Sequence, residues 1–172
     1  LGLRLAAMDT KMLYLIGGTM GVGKTTVGQI LKRQLPDCVF LDGDWCWQAD
    51  PFKVTEGTKR MVLDNICYLL GSFLRQPEYR NIVFCWVMHE QGIIDEIINR
   101  LDLRGCRVVC VSLMAGENVL RARLEADVAA GVRESDVVCR SIARLPLYGR
   151  LDTIKVDTDG KTPEEVAREI MA

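Results

Sequence analysis

The sequence predicts an α/β protein in three layers, a parallel sheet of five strands with helices on both faces. Three observations predict it. Apolar runs of strand length alternate with stretches of helical periodicity along the chain. The strand runs are apolar residue after residue, as strands covered on both faces are. The first of them passes into a helix through a glycine-rich loop, Gly17-Gly18-Thr19-Met20-Gly21-Val22-Gly23-Lys24-Thr25-Thr26, in which Gly18, Gly23, Lys24 and Thr25 fit G-x-x-x-x-G-K-[ST].

Taken in order, residues 1–11 read as an N-terminal extension, expected to be partly disordered, with Met8 and Met12 as two alternative starts. They lack the apolar core and cleavage pattern of a signal peptide. Met12–Ile16 is the first strand. After the loop, Val27, Ile30, Leu31 and Leu35 fall at helical spacing. Asp37–Leu41 is a short second strand, ending in the acidic turn Asp42-Gly43-Asp44. A helix runs from about Gly57 to Leu74 on an apolar stripe of Val62, Ile66, Leu69, Leu70 and Phe73, and Gln76-Pro77 breaks it. Asn81–Met88 is a continuous apolar run and the expected central strand. Ile93 to Leu101 is the next helix and Arg107–Leu113 the fourth strand. Asn118–Ala130 and Glu134–Leu145 are helical, with Gly131 between them and Pro146 as the stop. Thr153–Asp157 is the fifth strand. Thr162 caps the last helix, with Pro163 at its first position and Glu165 completing a capping box.

With 172 residues the chain suits a single domain. Its net charge of −1 and its 26% charged residues exclude the basic excess of a nucleic-acid binder. No apolar run is long enough to span a bilayer. The seven cysteines are odd in number and contain no C-x-x-C pair, which points to reduced thiols and a cytoplasmic setting, not to disulfides or zinc.

The loop carries the clearest chemistry. Glycines let main-chain N–H groups of residues 18–26 curl around an anion, and the start of the following helix adds its dipole. Lys24 can reach a nucleotide's β- and γ-phosphates, and the Thr25 hydroxyl can ligate Mg²⁺. Asp42 and Asp44, one residue apart at a strand end, can share a crevice with this loop, because ligands of such sheets sit beyond the carboxyl ends of the strands. Asp42 is assigned to the metal's water shell and Asp44 to the proton of an acceptor hydroxyl; a solvated Asp-Gly turn is the plainer reading. Trp45, Trp47, Phe52 and Trp86 can wall an acceptor pocket by stacking, Trp86 reading more simply as core. His89 reads equally as an acceptor-orienting or a structural histidine. Arg133, Arg140 and Arg144 share a helix face if that helix starts near Arg133, and Arg133 is the one assigned to the phosphates.

On these residues the chain resembles the small P-loop kinases, the group of shikimate kinase, gluconate kinase, chloramphenicol phosphotransferase and the nucleoside-monophosphate kinases. The resemblance implies a P-loop NTPase fold with strand order 2-3-1-4-5 and a short lid, here about residues 129–140. It implies ATP and Mg²⁺ as cofactors and a small hydroxylated molecule as partner, with neither nucleic acid nor membrane involved and the protein a monomer or weak dimer. By position, Asp42 and Asp44 resemble the D-x-D of the shikimate kinase-like members. Arg123 resembles the arginine that lies against adenine, and Asp157-Thr158 the start of the adenine-side loop. The chain departs from the nucleotide kinases in two places. Asp127 stands where a second lid arginine is expected, and His89-Glu90 where D-G-x-P-R would fall. A nucleoside or nucleotide kinase using Lys59, Arg60 and Arg75 for an acceptor phosphate stays open as an alternative. So does an NTP-hydrolysing switch, although N-K-x-D is absent.

Overall fold

The computed structural model describes residues 10–172, so most of the expected N-terminal extension lies outside the described residues. Strand β1 (Lys11–Gly17) takes in the last residue of that extension. The elements then follow as α1 (Lys24–Gln34), β2 (Cys38–Asp42), α2 (Glu56–Arg75), β3 (Asn81–Cys85), α3 (Gln91–Arg100), β4 (Cys106–Met114), α4 (Glu117–Ala129), α5 (Val137–Tyr148), β5 (Ile154–Asp157) and α6 (Pro163–Met171). A single 3₁₀ turn, Gly43–Cys46, follows β2. The five strands are parallel in the order β2-β3-β1-β4-β5. The expected order is borne out.

Alternation along the strands divides the core into two layers. Tyr14 and Ile16 of β1 and Val83 of β3 face α1, α4 and α6 through Val27, Leu31, Leu120, Leu124, Val166 and Ile170. Leu13, Leu15, Ile82 and Phe84 face α2 and α3 through Val62, Ile66, Leu70, Ile94 and Ile97. Burying a side chain of this size stabilises the fold by about 1.5–3 kcal/mol, so the two layers fix the strand ends in space. The loops after β1, β2 and β3 therefore emerge side by side.

Three boundaries differ from the sequence reading. Strand β3 stops at Cys85, not Met88, because its neighbours stop too: Cys85 is opposite Ile16 and Asp42, near the ends of both partners. One further bond, Trp86 N–H to the Ile16 carbonyl at 3.1 Å, closes the ladder. Met88 is still buried (1% exposed), but in a left-handed turn at φ 34°. The helix expected from Glu134 starts at Val137, so the lid segment 129–140 comprises the end of α4, a loop and one turn of α5. Pro146 does not end α5 but lies inside its last turn. Tyr148, fully buried with its hydroxyl donating to the Val87 carbonyl, holds that turn in place.

Candidate active site

The glycine-rich loop leads from β1 to α1. Gly23, the residue before α1, has φ 104°, a left-handed geometry that an L side chain would strain. No side chain caps this helix start and its first turn holds no acidic residue. By contrast α2 and α6 begin with closed capping boxes, Thr55–Thr58 and Thr162–Glu165. The free amides of α1 and its positive dipole end therefore face the cleft unneutralised, as an anion site requires.

Lys24 lies along the loop, its Nζ donating to the Thr19 carbonyl at 3.0 Å. Among the described residues it makes no ion pair. Burial pulls its pKa down to about 8, against the opposing charges of Asp44 and Asp42. A desolvated cation held at a backbone carbonyl and near two carboxylates fits an incoming polyanion. Thr25 Oγ1 donates to Asp42 Oδ2 at 2.7 Å, and the other oxygen of Asp42 accepts from the Asp44 amide at 3.0 Å. Asp42 is buried, so this pair of bonds fixes it at the end of β2. Asp44 stands at the open mouth of the cleft. Partial burial, then the charge of Asp42, push its carboxyl above the usual range; Lys24 and an indole N–H from Trp86 pull the other way. Trp86 can lie this close because Gly43 has no side chain: a Cβ there would meet the indole at 2.4 Å.

The cleft, about 260 Å³, is lined by Met20, Gly21, Gly23, Lys24, Thr25 and Thr26 of the loop, by Asp42 and Asp44, and by Asp127 and Arg133. Most of the sequence-predicted phosphate residues are thus together. The side chains of Thr19 and Val22 are not: Val22 is in the core, and buried Thr19 donates to the Ser141 carbonyl at 2.9 Å, bracing the loop against α5. Only their main chain can meet a ligand. Gly18 backs onto Val22 and Leu113. Arg123 donates to Thr158 Oγ1 at 3.3 Å, and Thr158 is tied to the Met114 carbonyl, so the two residues expected beside a base are neighbours. Asp157, next to them, accepts from the Asp159 amide at 3.0 Å.

The arginine row is corrected. Arg133 precedes α5 and pairs with Asp127 at 3.0 Å, while Arg140 pairs with Asp136 at 3.1 Å, so no common helix face aims them at the cleft. His89 is not among the cleft-lining residues. Its Nε2 lies 3.3 Å from Glu90 and its Nδ1 is buried without a partner. Burial, then Arg144, lower its pKa, with Glu90 opposing. Arg60 is exposed on α2 and lines neither cavity. Trp45 and Trp47 line a second, larger cavity of about 560 Å³ with Pro51, Lys53, Thr58 and Met61.

Three contributors escaped the sequence reading. Trp86, in sequence more simply a core residue, packs its indole over Gly43 of the acidic turn, and the glycine between two carboxylates was the available signal. Asp127 was noted only as a departure, and turns out to be the partner of Arg133. Ser141, whose carbonyl braces Thr19, gave no signal in sequence.

Among the described residues, no group of three or more histidine, cysteine or carboxylate side chains is placed to hold a metal. Thr25 and Asp42 nevertheless fit the usual protein share of a Mg²⁺ shell, one or two ligands with the remainder from phosphates and water.

Fold and loop together define a P-loop nucleotide-binding domain. The AAA domain family matches residues 15–140. The chain is 32% identical over 165 residues to a shikimate kinase of Streptomyces avermitilis, covering 90% of each chain. In structure it is similar to a gluconokinase from Sinorhizobium meliloti, at TM-score 0.68 and 20% identity over 94% of this chain and 90% of that one. It is also similar to the tunicamycin resistance protein of Deinococcus radiodurans, at TM-score 0.68 and 21% identity over 93% of each chain. The chain belongs to the small P-loop kinases, and it is an enzyme that phosphorylates a small molecule.

Proposed function

We propose that this kinase transfers the γ-phosphoryl group of ATP, with Mg²⁺, to a hydroxyl of a small acceptor held beside Asp44. The observation that carries the reading is the chain of bonds Thr25–Asp42–Asp44, which joins the phosphate loop to a carboxylate at the cleft mouth.

The loop amides and Lys24 would bind the β- and γ-phosphates, and Arg123 with Thr158 and Asp157 would border the base. Thr25 and Asp42 would hold Mg²⁺, which when bound neutralises phosphate charge. Arg133, on the cleft wall, is positioned to leave Asp127 for the transferring group, where its planar donors suit phosphate oxygens. Phosphoryl transfer demands mostly positioning and charge neutralisation. Asp44 adds a proton acceptor. Its raised pKa makes it a better base than an ordinary carboxylate.

Asp44→Asn tests this. The variant is expected to bind a non-hydrolysable ATP analogue as the parent does, yet to lose transfer by about 10²–10⁴-fold. ADP release in the presence of pooled hydroxylated metabolites, nucleosides and antibiotics is the readout. Undiminished transfer removes Asp44 from the mechanism.

A further inference from the structure

We propose that the acceptor offers its hydroxyl from a flat, largely apolar body seated in the pocket between Trp45 and Met61, and not from a small polyhydroxy acid. This rests on the kinase reading above and names its substrate class.

The pocket is built on the turn that carries Asp44, whose own side chain lines the neighbouring phosphate cleft. Trp45 follows Asp44 in the chain, and the Trp47 amide donates to the Asp44 carbonyl at 3.4 Å within the same 3₁₀ turn. Cys46, also on the pocket wall, lies near enough to Asp42 and Asp44 for their charges to add to burial in raising its thiol pKa. A molecule in this pocket can therefore direct a hydroxyl toward Asp44. Its oxygen gains the phosphoryl group, the bond to the leaving ADP oxygen breaks, and the hydroxyl proton passes to Asp44.

The wall chemistry sets the class. Trp45, Trp47, Pro51 and Met61 present mostly apolar surface, and Phe52, just outside the pocket lining, packs on Trp47 with ring centres 4.4 Å apart and planes tilted by 39°, which steadies the indole. Such a surface favours a planar partner. Trp45, Phe52, Val54 and Met61 are 53%, 58%, 58% and 41% exposed, half of the eight large exposed hydrophobic residues among those described, within one short stretch of chain. Clustered exposed apolar surface marks a binding site. The polar complement is small: Gln48, Thr58 and Lys53. The Thr58 hydroxyl already bonds the Thr55 amide and the Lys53 carbonyl, and Lys53 is the one cation on the wall. No arginine lines the pocket to grip a carboxylate at two points. A volume of about 560 Å³ lies within the range of sites for drug-sized ligands and exceeds the needs of a six-carbon acid.

The test uses the full chain with ATP and Mg²⁺, and four probes: chloramphenicol and 4-nitrobenzyl alcohol as flat, largely apolar acceptors, shikimate and gluconate as polyhydroxy acids. Tryptophan fluorescence reports binding and ADP release reports transfer. At least one flat probe is expected to quench fluorescence and be phosphorylated in preference to both acids. For that probe, Trp47→Ala should raise KM about tenfold while kcat changes far less, and Trp47→Phe should restore KM. Preferential turnover of shikimate or gluconate overturns the assignment, as does silence of both flat probes, or an unchanged KM in Trp47→Ala. Calorimetry with a non-hydrolysable ATP analogue separates the two levels. Normal nucleotide binding beside silent flat probes sinks only the acceptor class, whereas absent nucleotide binding sinks the kinase reading itself.

Discussion

Lys24, Asp42 and Asp44 show how single side chains take their chemistry from where the sheet puts them. The half-buried lysine lies near two carboxylates and, among the described residues, forms an ion pair with neither, so a phosphate bound there would not have to break one. Asp42 and Asp44 differ in environment although they stand one residue apart. Asp42 is buried and doubly bonded, whereas Asp44 is at the mouth with its pKa raised. The residue types and spacing were legible in sequence; the packing of the Trp86 indole over Gly43 was not, because it depends on how closely the ends of β2 and β3 come together. His89 gives a prediction at this scale. Its folded pKa lies below 6.5, so at lower pH the unfolded chain takes up a proton that the folded chain resists. Stability is therefore unaffected by His89 above that value and falls as pH drops toward the folded pKa. Replacing it with the neutral His89→Gln should shrink the loss of Tm between about pH 7 and about pH 5.5. Parallel Tm curves for the two proteins would show that His89 does not carry this titration.

At the scale of elements, periodicity and capping located nearly everything, and the misplacements have physical causes. Thr162, Pro163 and Glu165 announced α6, and the reciprocal bonds are there, at 3.2 Å and 2.7 Å. The equivalent box on α2 uses Thr58 where Glu or Gln is usual, so it was invisible in the same pattern. Pro146 misled because a proline in a last turn costs little once a buried tyrosine anchors the residues after it. The arginine row failed with the start of α5: once the helix begins at Val137, spacing from Arg133 has no meaning. Thr162→Ala should cost about 1 kcal/mol of stability, a fall in Tm of about 2–4 °C for a chain of this size. Thermal unfolding followed by circular dichroism measures it, and an unchanged Tm would mean the cap is not made.

For the molecule as a whole, strand order decides function. Placing β1 between β3 and β4 brings the phosphate loop against the ends of β2 and β3, and so against Asp42, Asp44 and Trp86. A loop motif alone does not do this; the two-layer core does, by fixing where each strand stops. The proposed acceptor pocket lies on the β2–α2 connection, which holds Trp45, Trp47 and Phe52. The uncapped start of α1, with Lys24, is the proposed seat of a nucleotide's phosphates. Calorimetric titration of a non-hydrolysable ATP analogue with Mg²⁺ into the parent chain and into Lys24→Ala tests it most directly, with circular dichroism confirming that both are folded. One-to-one binding is expected in the parent, with its loss, or a weakening of at least about 10²-fold, in the variant; equal affinity in the two proteins would rule out a phosphate site at Lys24.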